Sequence, residues 1–255
     1  MDRRLVPPPG DSHIFDTSPM APHPLPRLDH IAACAGRQEA NLAFYSGFLG
    51  LELLPAADGW RLYGAPPGSG RPCLAFRLAA DAPSGRHGAG QAEEVCLAIP
   101  EGSAGHWCER AAAARQIFCP TERFGRPGLR LRDPDGMLIL LAERAGARAP
   151  TPDVLGLCGA TLWVRDQLRE AALLADLFGC DEEGIDGGIR RLRLGDAHLD
   201  LQDAREFPEG RPGRGVVEHL ALAECQAVRA AADRLLAREG AGWQLPGGVR
   251  LRLSP

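Results

Sequence analysis

The sequence predicts an α+β protein made of four copies of one strand, helix, three-strand module (βαβββ), the fourth of them shortened. Three observations carry this. Two segments look alike, GRHGAGQAEEVCLAIP ending at Pro100 and GRPGRGVVEHLALAE ending at Glu224, and each is a Gly-rich turn feeding an alternating apolar strand. Two further strand starts, LDHIAACAG from Leu28 and LCGATLWVRD from Leu157, fall before and between them. The four starts recur at roughly 60 to 65 residues, the signature of a repeated unit. One shared position of these strands holds His30, Glu94, Gly159 and His219, so only the first and last modules carry a histidine there.

The elements follow in order. Residues 1–26 are Pro-rich and aperiodic and are expected to form a disordered arm. LDHIAACA alternates as a strand, and RQEANLAFYSGFLG places Ala40, Leu42, Ala43, Phe44 and Leu49 at helical spacing before Gly50 stops the helix. LELLPA, WRLYGA and PCLAFRLA complete the first module. The second runs from Glu93 through the helix GHWCERAAAARQ to the strands GLRLRD and MLILLAE, joined by the turn DPDG, and modules one and two together occupy 27–148. Pro150 and Pro152 mark a linker. Modules three and four occupy 153–255. The third has the helix QLREAALLADLFG and strands IRRLRLG and AHLDLQD; the fourth has the helix AVRAAADRLLAREG and a single strand VRLRLS, so its last strand is expected to be missing.

Composition narrows the function classes. There is no lysine, the 29 basic residues are all arginine against 33 acidic ones, and no basic block alternates with aromatics, which argues against nucleic acid as a partner. No apolar run approaches the roughly 18 residues of a membrane span, and the first residues have no signal-like apolar core; the expectation is a soluble, cytoplasmic protein. Eight cysteines are scattered without CxxC pairs and read as structural thiols. An unpaired edge in a shortened fourth module would suit a homodimer.

LDHIA, LAFYSGFLGLEL and LRLRDPDGMLILL resemble the vicinal oxygen chelate (glyoxalase-like) superfamily of paired βαβββ modules. The segments GRHGAGQAEEVCLAIPEGS, PTERFGRPGLRLRDPDG, LCGATLWVRD and GRPGRGVVEHLALA are most similar to its four-module ring-cleaving dioxygenases acting on hydroquinone-type substrates. The resemblance implies that modules one and four enclose one pocket and two and three another. It also implies Fe(II), with Mn(II) suiting the same ligands, and a hydroquinone- or catechol-like aromatic cleaved with O₂ in extradiol fashion. His30 and His219 match two metal ligands. The third would be a glutamate on the last strand of module four. Two imidazoles and one carboxylate on one face leave positions open for substrate and O₂.

The sequence departs from that pattern. Aligned with GLRLRDP, VRLRLSP ends before a carboxylate; aligned instead with a P-G-G turn and strand, it puts Arg252 there. Glu218 stands where the family has a histidine proposed for proton transfer, and is the candidate for that role here. The rival reading is a metal-free or degenerate protein of the same fold that binds an aromatic or drug-like molecule. Glu94 and Asp200 occupy inward positions of modules two and three and read as a solvated or Arg-paired couple in preference to a second metal site, while His13, His23, His87, His106 and His198 are assigned no role. DPDG reads as a structural turn, and Phe44 as core.

Overall fold

A computed structural model describes residues 26–65, 71–223 and 226–254; the predicted arm falls almost entirely outside the described residues. Sixteen strands form two curled eight-stranded sheets. Module one comprises β1 (Leu28–Ala35), α1 (Gln38–Leu42, continuing as a π-helical turn through Ala43–Phe48), β2 (Glu52–Leu54), β3 (Trp60–Gly64) and β4 (Pro72–Leu78). Module two comprises β5 (Gln91–Pro100), α2 (Ala104–Ala113), β6 (Phe118–Arg123), β7 (Arg126–Arg132) and β8 (Leu138–Arg144). Module three comprises β9 (Gly156–Val164), α3 (Gln167–Phe178), β10 (Asp181–Asp186), β11 (Ile189–Leu194) and β12 (Ala197–Asp203). Module four comprises β13 (Val217–Ala223), α4 (Gln226–Leu235), β14 (Ala237–Glu239), β15 (Gly242–Gln244) and β16 (Arg250–Ser254).

The modules pair outside-in, as expected. The first sheet runs β14-β15-β16-β13-β1-β4-β3-β2 and joins modules one and four; the second runs β10-β11-β12-β9-β5-β8-β7-β6 and joins two and three. At each centre the first strands of two modules lie antiparallel, β1 against β13 and β5 against β9.

The fourth module is short but keeps its full strand set. VRLRLS is its fourth strand, parallel to β13 with Leu220 opposite Leu251 and Ala221 opposite Arg252. The expectation of one strand in the third-strand place, and of a missing last strand, is therefore corrected. The three-residue strands β14 and β15 fall below the length at which alternation can be read. The edge strands β6 and β10 also went unforeseen, because Pro120 interrupts one and DEEGID charges the other. Charged or interrupted edges are how sheets avoid further pairing.

Alternation separates two environments. Ile31, Ala33, Val95, Leu97, Ile99, Leu162, Val164, Leu220 and Leu222 enter one large core with Leu174, Leu177 and Phe178 of α3 and with Trp107 of α2. Asp166 caps α3 by accepting from the Arg169 amide at 3.0 Å, and Gly179 ends it in the left-handed region at φ 65°. Phe44 and Tyr45 are both core residues. The Tyr45 hydroxyl donates to Asp133 at 2.9 Å, while the other Asp133 oxygen accepts from the amides of Asp135, Gly136 and Met137, so DPDG is a structural turn. No helix among the described residues is long and apolar enough to cross a membrane.

The opposite face of the second sheet holds a charge network instead of an apolar core. Arg123 donates to Glu94 at 2.7 Å and to Thr161 at 2.9 Å, and approaches Asp200 at 3.5 Å. Arg130 completes Glu94 at 2.6 Å, and Arg191 grips both oxygens of Asp200 at 2.7 and 2.8 Å. Glu94 and Asp200 are thus the Arg-paired couple expected. Removing one partner of a buried ion network leaves charge uncompensated, so Arg123→Ala is expected to cost about 3 kcal/mol or more, measured by urea denaturation against the parent chain.

Candidate functional site

Four irregularities shape the inner faces of the sheets. In the β1/β13 ladder the register skips Asp29 between Leu28 and His30, and skips Glu218 between His219 and Val217. In the β5/β9 ladder it skips Glu93 and Cys158 at the corresponding places. A bulge adds one residue to a strand and re-aims its side chain. The residue preceding the shared site position of every module is therefore the bulged one.

In the first sheet this brings polar groups together around His30 and His219. Asp29 receives His30 Nδ1 at 2.9 Å and is held below the ordinary carboxylate range chiefly by that hydrogen bond. With Nδ1 occupied as donor, Nε2 of His30 is left as an acceptor. Glu218 pairs with Arg77 at 2.5 Å and lines, together with His219, a cavity of about 190 Å³ that also takes in Gln91, Gln244 and Arg250. His219 is buried, at 8% exposure, and its pKa is pushed down to about 4, first by burial and then by Arg252, by the His30 ring whenever that ring is protonated, and by Arg250.

The β16 register settles what stands in the third ligand position. Arg252 is opposite Ala221, two residues along from His219 and on the same pleat face, where the resemblance calls for a glutamate. Two imidazoles and a guanidinium do not fit a two-histidine, one-carboxylate centre for Fe(II) or Mn(II). The fixed cations around His219 oppose a divalent ion further. Among the described residues, His30 and His219 belong to no cluster of three potential metal ligands.

One such cluster does exist, in the second sheet, and sequence reasoning missed it. Cys96 and Cys158 lie with their Sγ atoms 3.2 Å apart, and His198 completes a group whose ligand atoms all fall within 4.8 Å. Cys96 and Cys158 are free thiols, as expected. His198, within the predicted strand AHLDLQD but assigned no role, is on β12 opposite Gly159. No motif announces the three, since they lie 62 and 40 residues apart on different strands; the available signal was that Cys158 directly precedes the shared site position, as Glu218 does. His87, also assigned no role, makes a short hydrogen bond to Glu93 and another to the Gly136 carbonyl at 3.1 Å.

The chain is similar to known proteins over most of its length. The profile described as Glyoxalase/Bleomycin resistance protein/Dioxygenase superfamily matches residues 27–141. Over 215 residues the chain is 30% identical to "Putative ring-cleaving dioxygenase MhqO" of Bacillus subtilis (strain 168), covering 76% of this chain and 68% of that one. It is 27% identical over 213 residues to "Putative ring-cleaving dioxygenase MhqE" of the same strain, covering 76% and 70%. The crystal structure of a putative dioxygenase from Bacillus subtilis superposes with a TM-score of 0.77 at 24% identity, over 89% of this chain and 84% of that chain. Glyoxalase I from Zea mays superposes at 0.63 with 18% identity, over 89% and 92%. The paired βαβββ modules and these similarities together establish that the chain belongs to the glyoxalase/bleomycin resistance protein/dioxygenase superfamily.

Proposed function

We propose that the chain is a member of the dioxygenase branch of this superfamily that takes a dihydroxylated aromatic, of the hydroquinone or catechol class, into the first sheet without a resident iron. The observation that carries this is Arg252 in the place of the metal-binding carboxylate, with Arg250 beside it on the same strand. A neutral imidazole at His219 accepts a hydrogen bond from a phenolic hydroxyl. Guanidinium groups then favour the phenolate over the phenol, since an opposite charge nearby stabilises the ionised form. Asp29 fixes the His30 ring as an oriented acceptor. Glu218 is engaged by Arg77 and would act by holding that arginine in place, in addition to the proton-transfer role expected of it.

Ring cleavage by a dioxygenase, as the names of the relatives say, carried out with Fe(II) or Mn(II) bound by His30 and His219, is the second reading, and retention of both histidines favours it. The two separate cleanly by experiment. Calorimetric titration with hydroquinone and catechol under anaerobic conditions is expected to show binding that weakens by about threefold to tenfold in His219→Ala, the loss of one hydrogen bond between neutral groups. Anaerobic reconstitution with Fe(II) is expected to leave no iron dependent on His30. Stoichiometric iron lost in His30→Ala and His219→Ala, with oxygen uptake on adding hydroquinone, would establish the second reading instead.

The same geometry predicts a gain of function. Arg252→Glu removes the opposing cation and supplies a carboxylate in register, so it is expected to retain Fe(II) through gel filtration, with the metal lost again on adding His219→Ala.

His219 also gives a pH signature. Its folded pKa of about 4 lies below the ordinary 6.5, so protons bind the unfolded chain more tightly. The associated stability is complete above 6.5 and is lost as the pH falls toward 4, amounting to about 2 kcal/mol by pH 5. Urea midpoints at pH 7 and pH 5 should therefore diverge more for the parent than for His219→Gln.

A further inference from the structure

The structure assigns to Cys96, Cys158 and His198 a second, unshared role: a binding site for a thiophilic d¹⁰ cation of the zinc class, on the inner face of the sheet formed by modules two and three. Its donor set is two sulfurs and one imidazole nitrogen, with the remaining coordination position facing an open cavity.

Four features build it. The three residues come from three strands, β5, β9 and β12, so the sheet itself fixes their spacing. Cys158 reaches this face because it is the bulged residue of β9; in regular alternation it would point the other way from Gly159. Gly159 clears the space for the imidazole, since a Cβ there would come within 2.7 Å of the His198 ring and 2.4 Å of its carbonyl oxygen. His198 Nε2 is buried without a hydrogen-bond partner among the described residues, which leaves a lone pair or a proton unused.

The surroundings select the cation. The sulfur atoms are 3.2 Å apart, and metal–ligand distances of about 2.3 Å to sulfur and about 2.0 Å to nitrogen require only a small outward movement of each side chain. Both sulfur donors are thiols, so an entering ion must displace their protons by bonding strongly to sulfur. Hard ions such as Mg²⁺ and Ca²⁺ do not do so. Of the nearest carboxylates, Glu94 is held by Arg123 and Arg130 and Asp200 by Arg191, with Asp200 Oδ2 also 3.9 Å from His198 Nε2, beyond hydrogen-bond reach.

Cys158 and His198 line a cavity of about 310 Å³ whose other walls include Arg123, Arg126, Arg144 and Arg191. A cation with three protein donors and one open position is the arrangement of catalytic zinc sites, as opposed to closed structural ones. The arginines give that open position a preference for an anionic ligand, such as a carboxylate or phenolate, over a neutral one.

The full chain, reduced with a phosphine and stripped with a chelator, would be titrated with Co(II) as a spectroscopic probe. We expect one equivalent to give a sulfur-to-cobalt charge-transfer band and tetrahedral d–d absorption, displaced by Zn(II). The band should vanish in Cys158→Ser, and cobalt affinity should fall by about tenfold or more in His198→Gln, the loss of one ligand. It should be unchanged in His219→Gln, which separates this site from the one in the first sheet. Because a serine variant risks misfolding, melting of the parent chain with and without Zn(II) gives a second readout, and a rise that saturates at one equivalent is expected. A band that persists in Cys158→Ser, or no band in the parent, would each overturn the assignment.

Discussion

Antiparallel pairing of the first strands, β1 with β13 and β5 with β9, is the constraint on which the rest of the molecule depends. It places the shared position of one module beside that of another and turns a linear repeat into two closed environments. A two-stranded register with strict alternation would present only every second residue to the inner face. The bulges at Asp29, Glu93, Cys158 and Glu218 break that rule at four equivalent places. Each inner face thereby gains an additional polar or sulfur-bearing side chain next to its site position. Where the two faces differ chemically, the difference is one of residue identity on a common backbone.

Much of this was legible in the sequence, for a physical reason. A period of two survives wherever a strand is buried on one face, so β1, β4, β5, β9, β12 and β13 could be read from alternation, and α3 from its Asp166 cap and Gly179 stop. Of the edge strands only β2 was legible, within LELLPA; β6, β10 and β14 border solvent, where no core demands alternation, and β14 and β15 are three residues long. The module-four error followed directly. With β14 and β15 unseen, VRLRLS was aligned to a third strand, although its parallel pairing with β13 makes it the fourth.

The site was less legible than the fold. His30 and His219 stood out because they repeat at one position, and that same logic concealed Cys96, Cys158 and His198, which do not repeat. Cys96 lies two residues beyond the shared position, Cys158 one before it, and His198 on a different type of strand. Only the bulge and the absence of a side chain at Gly159 bring them into one place. Neither feature has a signature in a single sequence. The sequence also showed eight dispersed cysteines, for which burial as small hydrophobes was the simplest account.

The two inner faces carry opposite electrostatic problems, and this governs what each can bind. At the three pseudo-equivalent positions the first sheet presents His30, His219 and Arg252, and the second presents Glu94, Gly159 and Asp200. The carboxylate missing from one set appears in the other, where no histidine occupies either first-strand position. Two buried carboxylates cannot remain ionised without compensation, and Arg123, Arg130 and Arg191 supply it. That compensation withdraws Glu94 and Asp200 from metal binding, leaving sulfur and imidazole as the uncommitted donors on that face. On the first face the imbalance runs the other way. On the proposed reading, neutral His219 among fixed cations favours an electron-rich, ionisable oxygen over a divalent metal. Taken with the cation site proposed on the second sheet, one repeated scaffold would then separate the anion-seeking and cation-seeking functions that a two-histidine, one-carboxylate centre combines in a single pocket.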